Sequence, residues 1–186
     1  SSSISGNGET IEFCVFDPIG YEHAFRKNPL VSLKESKEIP ASSLIEVCNW
    51  IKNNTPVNAA FFNPGYIRPF RSCSKRQGFI EEKLDGNFAV ADRKFATIYY
   101  ERFADIHRGL TYLDFPGKYI DSQALYSAMQ KRYLSLDADY IELLKEKYSG
   151  YRYFLTEFGH KLPYPIIFEN SHFLLYDLSP NYQDVR

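Results

Sequence analysis

Five cations, Arg68, Arg71, Lys75, Arg76 and Lys83, fall within 16 positions of the stretch 63–83 (NPGYIRPFRSCSKRQGFIEEK), interleaved with Tyr66, Phe70 and Phe79. A guanidinium is a rigid fork of donors that grips phosphate or carboxylate through two parallel hydrogen bonds. Tyr66 or Phe70 would add a flat face for a sugar or a base. The stretch follows a predicted strand over 57–62, and loops after strands are where α/β sheets place their ligands. Tyr66, Phe70, Arg71, Arg76 and Lys83 are therefore the candidate ligand-binding residues. The alternative for Arg71 and Arg76 is structural, as ion pairs with Glu81, Glu82, Asp92 or Glu101.

Glu101 and Asp105 stand four apart, on one face of a predicted helix, with Arg102 and Arg108 close by. That spacing allows an acid–base pair; its alternative is solvated helix charge. His23, His107, His160 and His172 share no metal-ligand spacing, so no metal is expected. Cys14, Cys48 and Cys73 are too far apart for C-x-x-C and are odd in number. They read as free thiols, or as one disulfide with one thiol left over. No G-x-S-x-G elbow, P-loop or G-x-G-x-x-G occurs, no cofactor is expected, and no residue is assigned as catalytic.

The elements that must position these groups alternate in type. Polar residues 1–10 (SSSISGNGET) read as a linker or frayed end, and 11–16 (IEFCVF) as a strand closed by Asp17-Pro18. Ser42 or Ser43 opens a helix with Leu44, Val47, Cys48 and Ile51 on one face, ended before Pro56. The sequon-like Asn53-Asn54-Thr55 reads as the cap of that helix rather than as a glycan acceptor. A strand is predicted at 76–83, with a turn at Asp85-Gly86-Asn87. Helices follow from about 91 to 108, from Asp121 or Ser122, and from Asp137, and Met129 falls in the core. Strands at 151–157, 165–170 and 172–178 close the chain, the last two meeting at Asn170-Ser171 in a hairpin. The pattern is α/β: a three-layer mixed sheet flanked by helices, with a C-terminal β-hairpin, in a single domain over 11–178 followed by a tail at 179–186.

Composition sets the outer bounds. The 186 residues are 44 % hydrophobic and include 15 Tyr, 15 Phe and one Trp, which excludes an intrinsically disordered chain. A net charge of −1 argues against a nucleic-acid partner. No apolar run reaches the ~18–20 residues of a membrane span. The chain starts at Ser1 with Met129 its only methionine, which predicts a trimmed fragment or a processed product.

The stretch 45–83 carries W-I-x-x-N-T-P and F-R-x-x-S-x-R, with Trp50, Asn54, Thr55, Pro56, Phe70, Arg71, Arg76 and Lys83 as its marked positions. It resembles the soluble C-terminal domain of a largely uncharacterised family of bacterial multi-pass membrane proteins. Those proteins look like relatives of the lipid-dependent, GT-C type glycosyltransferases and oligosaccharyl transferases. Glu169, Asn170 and Tyr176 match the closing hairpin of such domains, and the segment at Tyr100, Glu101 and Arg102 resembles the family's E-W-x-x-R without reproducing it. The likeness covers about 45–108 and 165–178. It implies an extracytoplasmic accessory domain, periplasmic or at the cell surface, tethered to a membrane-embedded part of the same chain. Its implied partner is a lipid-linked sugar or another phosphate-bearing ligand. Two readings stand beside it: a self-contained enzyme with Glu101 and Asp105 as acid and base, and a non-catalytic interaction or scaffold domain.

Overall fold

Apolar side chains at Leu44, Val47, Cys48 and Ile51 put one greasy stripe on the first helix, and burying that stripe decides where it lies. The computed structural model describes residues 39–67, 69–115 and 121–179, all within the compact unit Ile39–Arg186. The expected strand at 11–16, the linker at 1–10, Arg68 and positions 180–186 of the expected tail lie outside the described residues.

Helix α1 (Ala41–Asn54) leads into strand β1 (Ala60–Phe62), a short helix α2 (Phe70–Ser74) and strand β2 (Gln77–Gly78). Helices α3 (Glu82–Ala91), α4 (Arg93–Ile106), α5 (Ser122–Tyr133) and α6 (Ala138–Lys147) follow, with a 3-10 turn at Tyr112–Asp114 between α4 and α5. Strands β3 (Tyr151–Glu157), β4 (Ile166–Glu169) and β5 (Phe173–Asp177) complete the sheet. Its order is β2-β1-β3-β5-β4, with β2, β1 and β3 parallel and the β3–β5 and β5–β4 pairs antiparallel. The sheet is mixed, helices cover both faces, and β4 and β5 form the C-terminal hairpin. Asn170 turns that hairpin, its Oδ1 accepting the backbone N–H groups of His172 and Phe173.

Side-chain alternation sorts the core into two halves. Phe61, Leu155, Phe173 and Leu175 face α1 and α2, where they pack on Val47, Cys48, Ile51 and Phe70. Phe62, Phe154, Leu174 and Tyr176 face the other way, onto Tyr99, Phe103, Ile106, Met129, Tyr133 and Ile141. Each fully buried aromatic of this kind contributes about 1.5–3 kcal/mol. Between Ala60 and Phe61 the register to β3 slips, so that Tyr151 and Tyr153 oppose consecutive β1 residues and Arg152 is the extra one. The bulge sends Tyr151 to the α4 side and Tyr153 to the α1 side.

Two local expectations change. The predicted strand at 76–83 shortens to two ladder residues, because the Asn63 side chain takes over the pairing. Its Oδ1 accepts Phe79 N–H at 2.7 Å, and its Nδ2 donates to Ile80 O at 2.8 Å. The predicted turn at Asp85-Gly86-Asn87 is helix instead. Asp85 accepts the backbone N–H of Glu81 from inside the first turn of α3, and Gly86 lies under the Tyr99 ring, where a Cβ would come within 3.3 Å of its Oη. Helix α1 starts at Ala41, behind Pro40, without a side-chain cap. Ser43 is buried one turn in, its Oγ paired with His172 Nδ1.

Candidate functional site

The β1–β2 crossover holds the residues that the sequence marks for ligand contact, and the chain itself uses most of them. Arg71 projects from α2 and grips Asp85 through two bonds, Nη1–Oδ1 at 2.6 Å and Nη2–Oδ2 at 2.8 Å. Its Nε and Nη2 also donate to Gly78 O. Burial lowers the Arg71 pKa, but hydrogen bonding and charge from Asp85 outweigh it, and the guanidinium is held more firmly cationic than usual. Arg76 reaches the C-terminus of α1, where Nη2 donates to Lys52 O and Thr55 O at 2.7 Å each and Nε to Thr55 Oγ1. A cation against the last carbonyls of a helix offsets the negative end of its dipole.

Phe70 is wholly buried against Phe61 and offers no face to solvent. Tyr66 donates to Glu157 Oε1 at 2.7 Å, a carboxylate that Gln130 also reaches at 2.8 Å. Burial first, then the Glu157 charge, raises the Tyr66 pKa well above the ordinary phenol range. Lys83 lies in the first turn of α3. Tyr66, Arg71 and Arg76 thus point to three different partners.

The Glu101 and Asp105 pair is an ion-pair site. Lys147 bridges both carboxylates at 2.7 Å, and Tyr148 donates to Asp105 as well. Hydrogen bonds that Lys147 donates to Asp105 and then to Glu101 raise its pKa. Half of the Glu101 side chain is open to solvent, and the charge of both acids is met by Lys147, so the pair is arranged as an ion pair rather than around a pocket. This corrects the paired-carboxylate reading.

A recess does exist one helix away. A cavity of about 90 Å³ lies between β2, α3 and α4, lined by Arg71, Phe79, Ile80, Asp85, Phe95, Ile98, Tyr99 and Arg102. Arg102 sits over the rings of Phe79, Tyr148 and Tyr151, with Cζ 5.2, 5.8 and 5.9 Å from their centroids. Its Nη1 is 3.5 Å from Phe79 O, and among the described residues its Nε is buried without a hydrogen-bond partner and no acid pairs with it. Arg71, at the same cavity, is saturated by Asp85.

Sequence reasoning names Arg102 beside the Glu101 and Asp105 pair but not as a ligand contact, although a signal is there. Phe95, Ile98, Tyr99 and Arg102 follow i, i+3, i+4, i+7, so the arginine occupies a position of the apolar stripe. Among the described histidines, His107 is buried with Nδ1 on Phe103 O, His160 bonds Thr156 and Leu136 O, and His172 bonds Ser43 and Ser171. Burial lowers the His107 pKa to about 4. No group of three or more His, Cys, Asp or Glu among the described residues could hold a metal ion.

No helix of the described residues is long and apolar enough to cross a membrane. No curated protein and no solved structure matches the chain. A family model does, over residues 91–168: the chain is similar there to the PduV-EutP family, described as ethanolamine utilisation - propanediol utilisation. That match, under half of the chain, overturns the expected role as an accessory domain of a glycosyltransferase-like membrane protein, together with its lipid-linked sugar or phosphate-bearing partner and its membrane-embedded one.

Proposed function

We propose that the unit is a non-catalytic binding module for an amphiphilic carboxylate. The carboxylate meets Arg102 in the recess between β2, α3 and α4, and the apolar body lies along Phe95 and Ile98. One observation carries the reading. Arg102 is a partly buried cation beside a cavity and has no acid of its own among the described residues, whereas every other candidate cation whose side chain is described and recessed is already engaged. A cavity of about 90 Å³ has room for roughly three waters, the size of a carboxylate head with its first methylenes. Ile98 at the rim is half exposed, and Phe88, exposed on α3, touches Phe95 edge to face. These rings and chains would cover the ligand's apolar part.

The matched segment 91–168 takes in α4 and so one wall of the recess. Its description concerns an amino alcohol and a diol. An ammonium group would meet the like charge of Arg102, so the recess favours an acid over an amine.

The test is thermal melting with hexanoate, phenylacetate, acetate and hexylamine. At tenfold over Kd a ligand stabilises by about 1.4 kcal/mol, which in a domain of this size raises Tm by about 3–5 °C. Hexanoate and phenylacetate should produce that rise, acetate less, and hexylamine none. Arg102→Gln should abolish it, and Ile98→Asp, at an exposed position, should weaken it without unfolding the protein. Equal shifts in wild type and Arg102→Gln would overturn the reading.

A further inference from the structure

Helices α1 and α2 pack on each other across the α1 side of the sheet, and each brings one cysteine to their contact. Cys48 is fully buried on α1; Cys73, on α2, is partly exposed and packs against the same cluster. Cys73 packs against the cluster that holds Cys48, near enough for its side chain to act on the Cys48 thiol. Both are free thiols. The spacing of 25 residues in sequence gives no hint of a pair; the fold of the β1–β2 crossover creates it.

We propose that Cys48 and Cys73 are a latent disulfide, closed by exchange with a small-molecule disulfide. Two cysteines brought together by packed helices are joined without backbone movement where their Cα atoms lie within about 7 Å. The two are unequal in access, and this sets the order of events. Cys73, the more accessible of the two, loses its proton and attacks one sulfur of the oxidant, releasing one thiolate and leaving a mixed disulfide on Cys73. Cys48 then loses its proton and attacks the Cys73 sulfur, expelling the second thiol. Two protein thiols become one S–S bond, two electrons reduce the oxidant to two thiols, and the balance closes. Burial, then the hydrogen bond to Cys73, raises the Cys48 pKa, so Cys48 is a poor first nucleophile and acts as the resolving group.

The bond would close a loop that contains β1 and Arg71. A crosslink over a loop of this length restricts the unfolded chain and should raise Tm by about 5–10 °C. This inference rests on Cys48 and Cys73, and the carboxylate recess on Arg102, so neither fails with the other.

The experiment uses the full chain carrying Cys14→Ser, so that only the two cysteines of the pair remain. It is incubated with oxidised glutathione, quenched by alkylation, and mapped by mass spectrometry without reduction. The expected product has lost two hydrogens, joins the peptides bearing Cys48 and Cys73, and melts higher than the reduced form. Cys48→Ser should stop at a glutathione adduct on Cys73. Should that variant not fold, Cys73→Ser serves: its buried Cys48 should resist glutathione and alkylation in the native protein. A wild-type pair that stops at the Cys73 adduct, or that melts lower once crosslinked, would overturn the proposal. So would rapid labelling of Cys48 in Cys73→Ser.

Discussion

The β1–β2 crossover and helix α4 handle polar groups in opposite ways. In the crossover, Arg71, Arg76 and Asn63 each satisfy several backbone or side-chain partners. On α4 and the turn that ends it lie the three buried side-chain nitrogens without partners among the described residues: Nε of Arg102, Nε2 of His107 and Nε of Arg108. A dense run of cations therefore marks a short β-α-β connection that lacks enough ladder to hold itself together. A single cation within an apolar stripe marks the place where the protein has left binding capacity over. Buried polar groups are ordinarily paired, so each exception asks for an explanation.

The sharpest way to break this contrast is Arg71→Ala. It strands Asp85, whose carboxylate is nearly buried, and removes the clamp on Gly78 O. Removing one partner of a buried pair costs about 3–5 kcal/mol, and partial solvent access at Arg71 brings the expectation down to about 2–4 kcal/mol. Urea denaturation at neutral pH measures it. A loss below 0.5 kcal/mol would mean that the crossover does not rest on this pair.

His107 tests the other region by pH. Burial keeps it neutral, and its pKa falls to about 4 against about 6.5 in the unfolded chain. Between those values the unfolded chain takes up a proton that the folded chain refuses. Stability is whole above about pH 6.5 and falls as pH drops towards 4, by about 2–3 kcal/mol. Burial also lowers the pKa of His160, which adds to the same slope. His107→Gln should flatten the pH dependence between 6.5 and 4, as read from melting at several pH values. An unchanged slope would show that this nitrogen is hydrated.

Arg76→Ala should cost less, about 1–2 kcal/mol, because it removes a helix cap whose carbonyls can turn to water. The loss should concentrate at the end of α1, where hydrogen exchange of Thr55 N–H, bonded to Ile51 O, would speed up before the rest of the helix. Uniform exchange along α1 would assign Arg76 no capping role.

How far the sequence foretold this division differs by level. Helical spacing placed α1, α4, α5 and α6 within a few residues, and Asp121 and Asp137 do cap the last two through backbone N–H groups. Asn170-Ser171 located the hairpin. These signals are local, and so they survive folding unchanged. The crossover is less legible because its bonds join residues 14 to 24 apart: Asp85 reads as a turn residue and is the counter-ion of Arg71, and Asn63 replaces strand pairing with a side chain. Candidate cations could be found from spacing, but which of them stayed unpaired depended on where the acids landed. As a ligand contact, Arg102 is marked in the sequence by its place in the apolar stripe of α4.

Arg102→Gln is therefore expected to have the smallest effect on stability and the clearest on function. The guanidinium makes one long hydrogen bond to Phe79 O and ring contacts with Phe79, Tyr148 and Tyr151. Cation–π contacts at partly open sites contribute about 0.5–1 kcal/mol, and relieving an unpartnered buried Nε offsets part of that loss. The net change should stay below about 1 kcal/mol, several-fold less than for Arg71→Ala. Glutamine keeps a donor for Phe79 O but brings no charge, so the melting rise with hexanoate should vanish while the apo protein melts within a few degrees of wild type. If Arg102→Gln instead cost as much as Arg71→Ala, Arg102 would be a structural arginine like those of the crossover, and the distinction between the two regions would collapse.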